Sequence, residues 1–310
     1  MAFGFGHIGR MLTVALAGLA LVGGVLANPA HADWKREWPE LTFAVVPAEN
    51  ADGVVARYEP MLAYMSKALG VAVKLRVAND YAAVIEGLNG GQVHFAHLGP
   101  AAYARANVVT GGKVEPLVSL VDATDTIGYF SVMYVRADDP AKSLQDLKGR
   151  PVCLVDPNSA SGNNVPRFAM SKMGIDPDRD FSKVVYAGSH ENAVLALQQK
   201  TCDGAFNWWN SAEASNLLRM AKKAMVKAED FRIVFKSDLI PGSPISILDS
   251  RPPEMKAAIR KAFLDVHAAD KAAFDRITDG KYKRYGEVNR EMYGVVIDLI
   301  KFVDSLRKSK

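Results

Sequence analysis

Cysteine and histidine are scarce, two and six in 310 residues, and they do not fall at metal-ligand spacing. That excludes a zinc-cluster module and a small scaffold built on disulfides. A GxSxG elbow, an HExxH helix and a Walker A loop are also missing, so the usual nucleophile, zinc-hydrolase and nucleotide-phosphate motifs do not apply. No metal and no cofactor is expected. The formal charge of +4 is small and its basic residues are dispersed, which argues against nucleic acid as a partner. Low-complexity tracts and long linkers are lacking, and long apolar runs are limited to one.

That run is MLTVALAGLALVGGVLA after Arg10, 17 uncharged residues followed by NPAHA. Ala30-His31-Ala32 fits a small-x-small cleavage site, so residues 1–32 read as a signal peptide cut before Asp33. The run is short for a membrane span. A lipoprotein would need a cysteine just after it, whereas the cysteines are Cys153 and Cys202. The expectation is a secreted, monomeric, periplasmic protein. Cleavage leaves 278 residues with 37 basic and 34 acidic side chains, long enough for two domains. In an oxidising compartment Cys153, on PVCLVD, can pair with Cys202, just before DGAFN, if those strands are neighbours. Two buried free thiols are the alternative.

Strands at 41–47, 71–78 and 93–99 alternate with helices at 58–70, 80–91 and from Pro100, the pattern of a parallel sheet with helices on both faces. PLVSLVDAT and GYFSVMYVRADD are β-rich and read as long strands leaving the first domain. The β-α-β-α-β order then restarts with PVCLVD, a helix over 163–173, FSKVVYAG, ENAVLALQQK and DGAFN. IVFKSDLIPGSPISIL is extended again, and helices are expected to finish the chain. The fold class is α/β: two lobes, each a mainly parallel sheet flanked by helices, joined by two hinge crossings near 130–137 and 237–245. Lobe 1 is 33–136 plus 241–310, and lobe 2 is 137–240. In such sheets ligands bind outside the carboxyl ends of the strands, so the cleft between lobes is the expected site.

DPNSASGNNVPRF (156–168) carries the most telling chemistry. An apolar strand ends, small and polar residues follow, and a helix begins. Ser159 or Ser161 can simply cap that helix. Hydroxyls and free N–H groups at a helix start also make an anion site, with the amides of 160–162 pointing at the anion.

NDYAAVIEGL, GYFSV, DPNSASG, HENAVLAL and SDLIPGSPI, in this order over about 41–305, resemble the phosphonate-binding periplasmic proteins of ABC importers, a family that includes phosphite and hypophosphite receptors. The resemblance implies the two-lobed binding-protein fold already read from the alternation, a phosphonate-type ligand and a membrane permease as partner. It also implies a site at Tyr81, Tyr129, Ser159, Ala160, Ser161 and His190. His190 starts a helix, where the dipole disfavours its cationic form, so a neutral imidazole is expected. Two departures stand out: Ala160 replaces a common Thr, and Asn210 and Ser243 stand where aminoalkylphosphonate binders have acids. Trp208 and Trp209 can line the substituent side, beside an apolar group or beside an amine held by cation–π attraction with help from Glu213. The rival functions are a receptor for another oxyanion or phosphorylated molecule (phosphite, a phosphate ester), a sensor receptor without an importer, and an exported enzyme on the same fold.

Overall fold

The computed structural model describes residues 34–308, so the expected signal peptide, 1–32, lies outside the described residues. The strands are β1 (Glu40–Val45), β2 (Ala72–Val77), β3 (Phe95–His97), β4 (Val114–Asp122), β5 (Gly128–Arg136), β6 (Pro151–Leu154), β7 (Lys183–Tyr186), β8 (Gly204–Ser211), β9 (Ala214–Ser215), β10 (Phe231–Lys236), β11 (Ile240–Pro241), β12 (Ile245–Leu248) and β13 (Tyr282–Glu287). Among the described residues they form two sheets. The first has the order β13-β4-β12-β3-β1-β2, and the second the order β10-β5-β8-β6-β7, with β11 beside β5 and β9 beside β8.

Each sheet keeps a parallel trio, β2-β1-β3 or β7-β6-β8. The remaining pairs, such as β12 with β3 and β5 with β8, are antiparallel. The sheets are therefore mixed rather than mainly parallel. Two of the antiparallel strands, β5 and β12, reach their sheets directly from the other half, through connections too short for the helical crossover that parallel neighbours need. β5, counted with the first lobe from its sequence, lies in the second sheet, so the chain crosses between sheets at 123–127 and 242–244. The second crossing is tight. A Cβ on Gly242 would sit 2.4 Å from Ser119 Oγ and 2.9 Å from Ile127.

The first sheet buries Phe43, Phe95, Phe263 and Tyr285 among helices, and the second buries Met133, Leu147, Leu154 and Phe206. Helix Gly294–Lys308 touches both halves. Val296 and Ile300 pack with Ala101 and Ala104 of helix Pro100–Val109 and with Ala160, while Phe302 meets Phe168 at 5.6 Å. Two elements differ from the sequence expectation. Helix Ala51–Leu69 starts seven residues early because Asn50 caps it, accepting the Gly53 N–H at 2.8 Å; Gly53, Val54, Val55 and Pro60 hide the helical signal. β13 comes between the two helices expected to finish the chain, with Tyr285 buried on an edge strand otherwise rich in basic residues.

Cys153 and Cys202 form a disulfide with Cα atoms 5.8 Å apart. β6 and β8 are parallel neighbours, with Cys153 opposite Ala205, which brings the residue just ahead of β8 into reach. Closing a loop across a separation of 49 residues stabilises by about 4 kcal/mol in the chain-entropy model. A Cys153→Ser, Cys202→Ser double variant is expected to lose stability of that order in urea unfolding, and a loss under 1 kcal/mol would contradict it.

Candidate ligand-binding site

Ser159 ends an extended segment after β6, and a wide helical turn, Ala160–Asn164, leads into helix Val165–Lys172. Ser159 does cap: its Oγ accepts the Gly162 N–H at 3.0 Å. That amide is therefore spent, contrary to the expectation that all three amides of 160–162 face an anion. Ala160 and Ser161 are the first residues of the turn, so their N–H groups have no partner within it. The Ser159 O–H remains a donor. The loop is held rigidly. Ser131 Oγ donates to the Ser161 carbonyl at 2.7 Å, the Val155 N–H donates to the Gly162 carbonyl at 3.0 Å, and both Asn163 and Asn164 donate to the Pro157 carbonyl at 2.9 Å. Gly162 is required by close approach, since an added Cβ would lie 2.4 Å from Val155.

This loop, the carboxyl ends of β1 and β3, and the starts of helices Tyr81–Asn89 and His190–Gln198 surround a cavity of about 180 Å³. That is below the roughly 300–1,000 Å³ that takes drug-sized ligands. In the cavity lining the Tyr81 phenol is close to Ser159, and the Tyr129 phenol is close to Ser161 and Ser243. Burial holds both phenols neutral, with pKa values pushed well above the usual 10. His190 is buried in the same lining. Burial chiefly, and the charge of Arg219 in addition, lower its pKa to about 3, so it is neutral, and its Nδ1 has no hydrogen-bond partner among the described residues.

The same cavity is also lined by residues with no signal in the sequence motifs, Glu49, Arg57, Tyr58, His97, Arg219 and Tyr282, and by Trp208. His97 Nδ1 lies 2.7 Å from the Tyr58 hydroxyl, and burial lowers its pKa to about 4. Here charged groups from the two halves meet. Arg57 pairs with Glu49, and Lys223 Nζ lies 2.6 Å from Glu49 and 2.8 Å from Glu191. Arg219 lies 2.8 Å from Asp279. Burial alone would raise the Glu49 pKa, but the hydrogen bond and charge of Arg57, with Arg219 and Lys223, lower it to about 2.

Tyr81, Tyr129, Ser159, Ala160, Ser161, His190, Trp208 and Ser243 thus line one cavity, whereas Trp209, Asn210 and Glu213 do not. Trp209, on the other face of β8 from Trp208, packs against Phe130 with Lys236 Nζ 4.1 Å from its ring. Asn210 lies past the cavity and faces the Asp122 carboxylate. Glu213 sits in the turn from β8 to β9 and accepts from Ser211 at 3.0 Å. Among the described residues no group of three His, Cys, Asp or Glu is placed to hold a metal ion.

Two α/β halves with a cavity at the carboxyl ends of their parallel strands make the type II periplasmic binding-protein fold. The family model "ABC transporter, phosphonate, periplasmic substrate-binding protein" matches residues 43–293, and the chain belongs to that family. It is 34% identical to the phosphate-import protein PhnD of Mycolicibacterium smegmatis, over 73% of this chain and 72% of that protein. It is 33% identical to the phosphonates-binding periplasmic protein of Escherichia coli over 71% of this chain and 63% of that protein, under two thirds of the latter's length. A binding-protein component of a phosphonate ABC transporter from Pseudomonas aeruginosa superposes with a TM-score of 0.75 at 27% identity, covering 85% of this chain and 86% of that one.

The two buried histidines set a pH dependence. Their native pKa values, about 4 and about 3, lie below the unfolded value near 6.5, so the unfolded chain takes up protons that the native one refuses. Stability is then complete above about pH 6.5 and falls as pH drops toward 4, by roughly 1.4 kcal/mol per unit for each histidine. Glu49 acts in a lower window, from 4.5 toward 2. Urea unfolding at pH 7 and pH 5 is expected to differ by several kcal/mol, with His190→Gln showing a shallower slope. Equal stability at the two pH values would contradict this.

Proposed function

We propose that the protein binds a phosphonate, or a closely related reduced-phosphorus oxyanion, in the cavity between its sheets and delivers it to the permease of an ABC importer from the periplasm. The observation that carries the reading is the convergence of the Ser159, Ser161, Tyr81 and Tyr129 hydroxyls with the unpartnered Nδ1 of His190 on one small cavity. All five groups are neutral; the four hydroxyls can donate to oxygen, and His190 Nδ1 donates in its Nδ1–H tautomer. Hydrogen bonds to an anion contribute roughly 1.5–3 kcal/mol each. Three or four of them, less the cost of ordering the cleft, reach the roughly −8 kcal/mol of micromolar binding. The cations beside the cavity are already paired with Glu49, Asp279 and Glu191, so in this reading the hydroxyls take the phosphoryl group and the aromatic wall faces the substituent.

The Mycolicibacterium relative, named a phosphate-import protein, favours phosphate as a second reading. The aromatic wall of Tyr58, Trp208 and Tyr282 favours a carbon substituent. Calorimetry of residues 33–310 against methylphosphonate, phosphite and phosphate separates them, and strongest binding of phosphate would replace the first reading by the second. Ser159→Ala is expected to weaken methylphosphonate tenfold or more, for the loss of one bond of about 1.5–3 kcal/mol; an unchanged dissociation constant would reduce Ser159 to a cap.

The halves meeting at the cavity, with crossings at 123–127 and 242–244, act as lobes that close on the ligand. Ligand contacts on both sides shift such an equilibrium toward closure. Small-angle scattering is expected to give a smaller radius of gyration with saturating methylphosphonate, and no change despite confirmed binding would count against closure.

A further inference from the structure

We propose that Arg219 is the residue that selects among phosphonates by their substituents, rejecting those with a cationic group in favour of uncharged ones. This rests on the oxyanion reading of the cavity. An amine at the substituent end needs either a free carboxylate or an open aromatic face. Arg219 takes both. Its guanidinium carbon lies 5.0 Å from the centre of the Trp208 ring, so the protein's own cation covers that face. Its Nε and Nη2 hold Asp279 Oδ2 at 2.9 and 2.8 Å, and Arg57 lies 3.2 Å from the other oxygen. Glu49, the one carboxylate lining the cavity among the described residues, is paired with Arg57 and Lys223. Glu213, the other acid near Trp208, hydrogen-bonds Ser211 outside the cavity. An incoming ammonium therefore meets a wall of like charge whose carboxylates are spoken for. A methyl or ethyl group meets Tyr58, Trp208 and Tyr282 and needs no counter-ion.

Ethylphosphonate and 2-aminoethylphosphonate differ at this end by the ammonium, and calorimetry of both on the full-length mature chain is the test. The wild type is expected to bind ethylphosphonate at least tenfold more tightly. Arg219→Gln uncovers Trp208 and frees one oxygen of Asp279, so the ratio is expected to fall at least tenfold through a gain for the amine, while Arg219→Lys keeps it. If Arg219→Gln does not fold, Asp279→Asn serves instead. It removes the acid that neutralises Arg219, and the ratio is expected to rise. Equal or tighter binding of the amine by the wild type overturns the proposal. So does an equal loss for both ligands in Arg219→Gln, which would make Arg219 a contact between the halves and nothing more. Discrimination failing while ethylphosphonate binds overturns this proposal alone; no binding of ethylphosphonate, methylphosphonate or phosphate overturns the oxyanion reading beneath it as well.

Discussion

Glu49 is 5% exposed and surrounded by Arg57 from its own half and by Lys223 and Arg219 from the other. A carboxylate so far from water is tolerable only with its cations in place, because removing one partner from a buried pair costs about 3–5 kcal/mol. Two of those partners arrive only when the halves are together. Glu191 repeats the logic from the opposite side: its carboxylate takes Lys223 and the backbone N–H of Asn50 at 3.0 Å. The ion cluster thus couples the relative position of the two sheets to the desolvation of their charges, and the cavity exists in its shape only in that arrangement.

The cluster also decides where chemistry is left over. Its three cations and three carboxylates satisfy one another, so the donors with spare capacity are those of Ser159, Ser161, Tyr81, Tyr129 and His190. Neutral donors suit an oxyanion because they supply hydrogen bonds without a buried charge of their own to stabilise when the ligand leaves. Burial keeps them neutral, pushing the phenols up and the imidazole down to about 3.

Much of this was legible in the sequence. Regular alternation of strand and helix indicates two α/β halves, and a run of small polar residues before a helix marks Ser159 and Ser161. Tyr81 is marked by the family resemblance and by its place at a helix start after a strand; the cap of that helix, Asp80 accepting the Ala83 N–H at 2.7 Å, is read from the structure. Other features depend on contacts that no local pattern encodes. Lys223 and Glu49 are 174 positions apart, and Arg57 and Asp279 are 222 apart. β5 is an apolar run that reads the same in either sheet, and its partner is chosen by β8 and β10, far along the chain. Alternation along β8 requires Trp208 and Trp209 to face opposite ways, but which one faces the cavity follows from the sheet's place in the fold.

The most direct test is a crystal structure with methylphosphonate bound. The account places the phosphoryl oxygens within hydrogen-bond distance of Ser159, Ser161, Tyr81, Tyr129 and His190 Nδ1, with the methyl group toward Tyr58 and Trp208. A ligand bound the other way round, its phosphoryl group on Arg219 with Asp279 displaced, would contradict it.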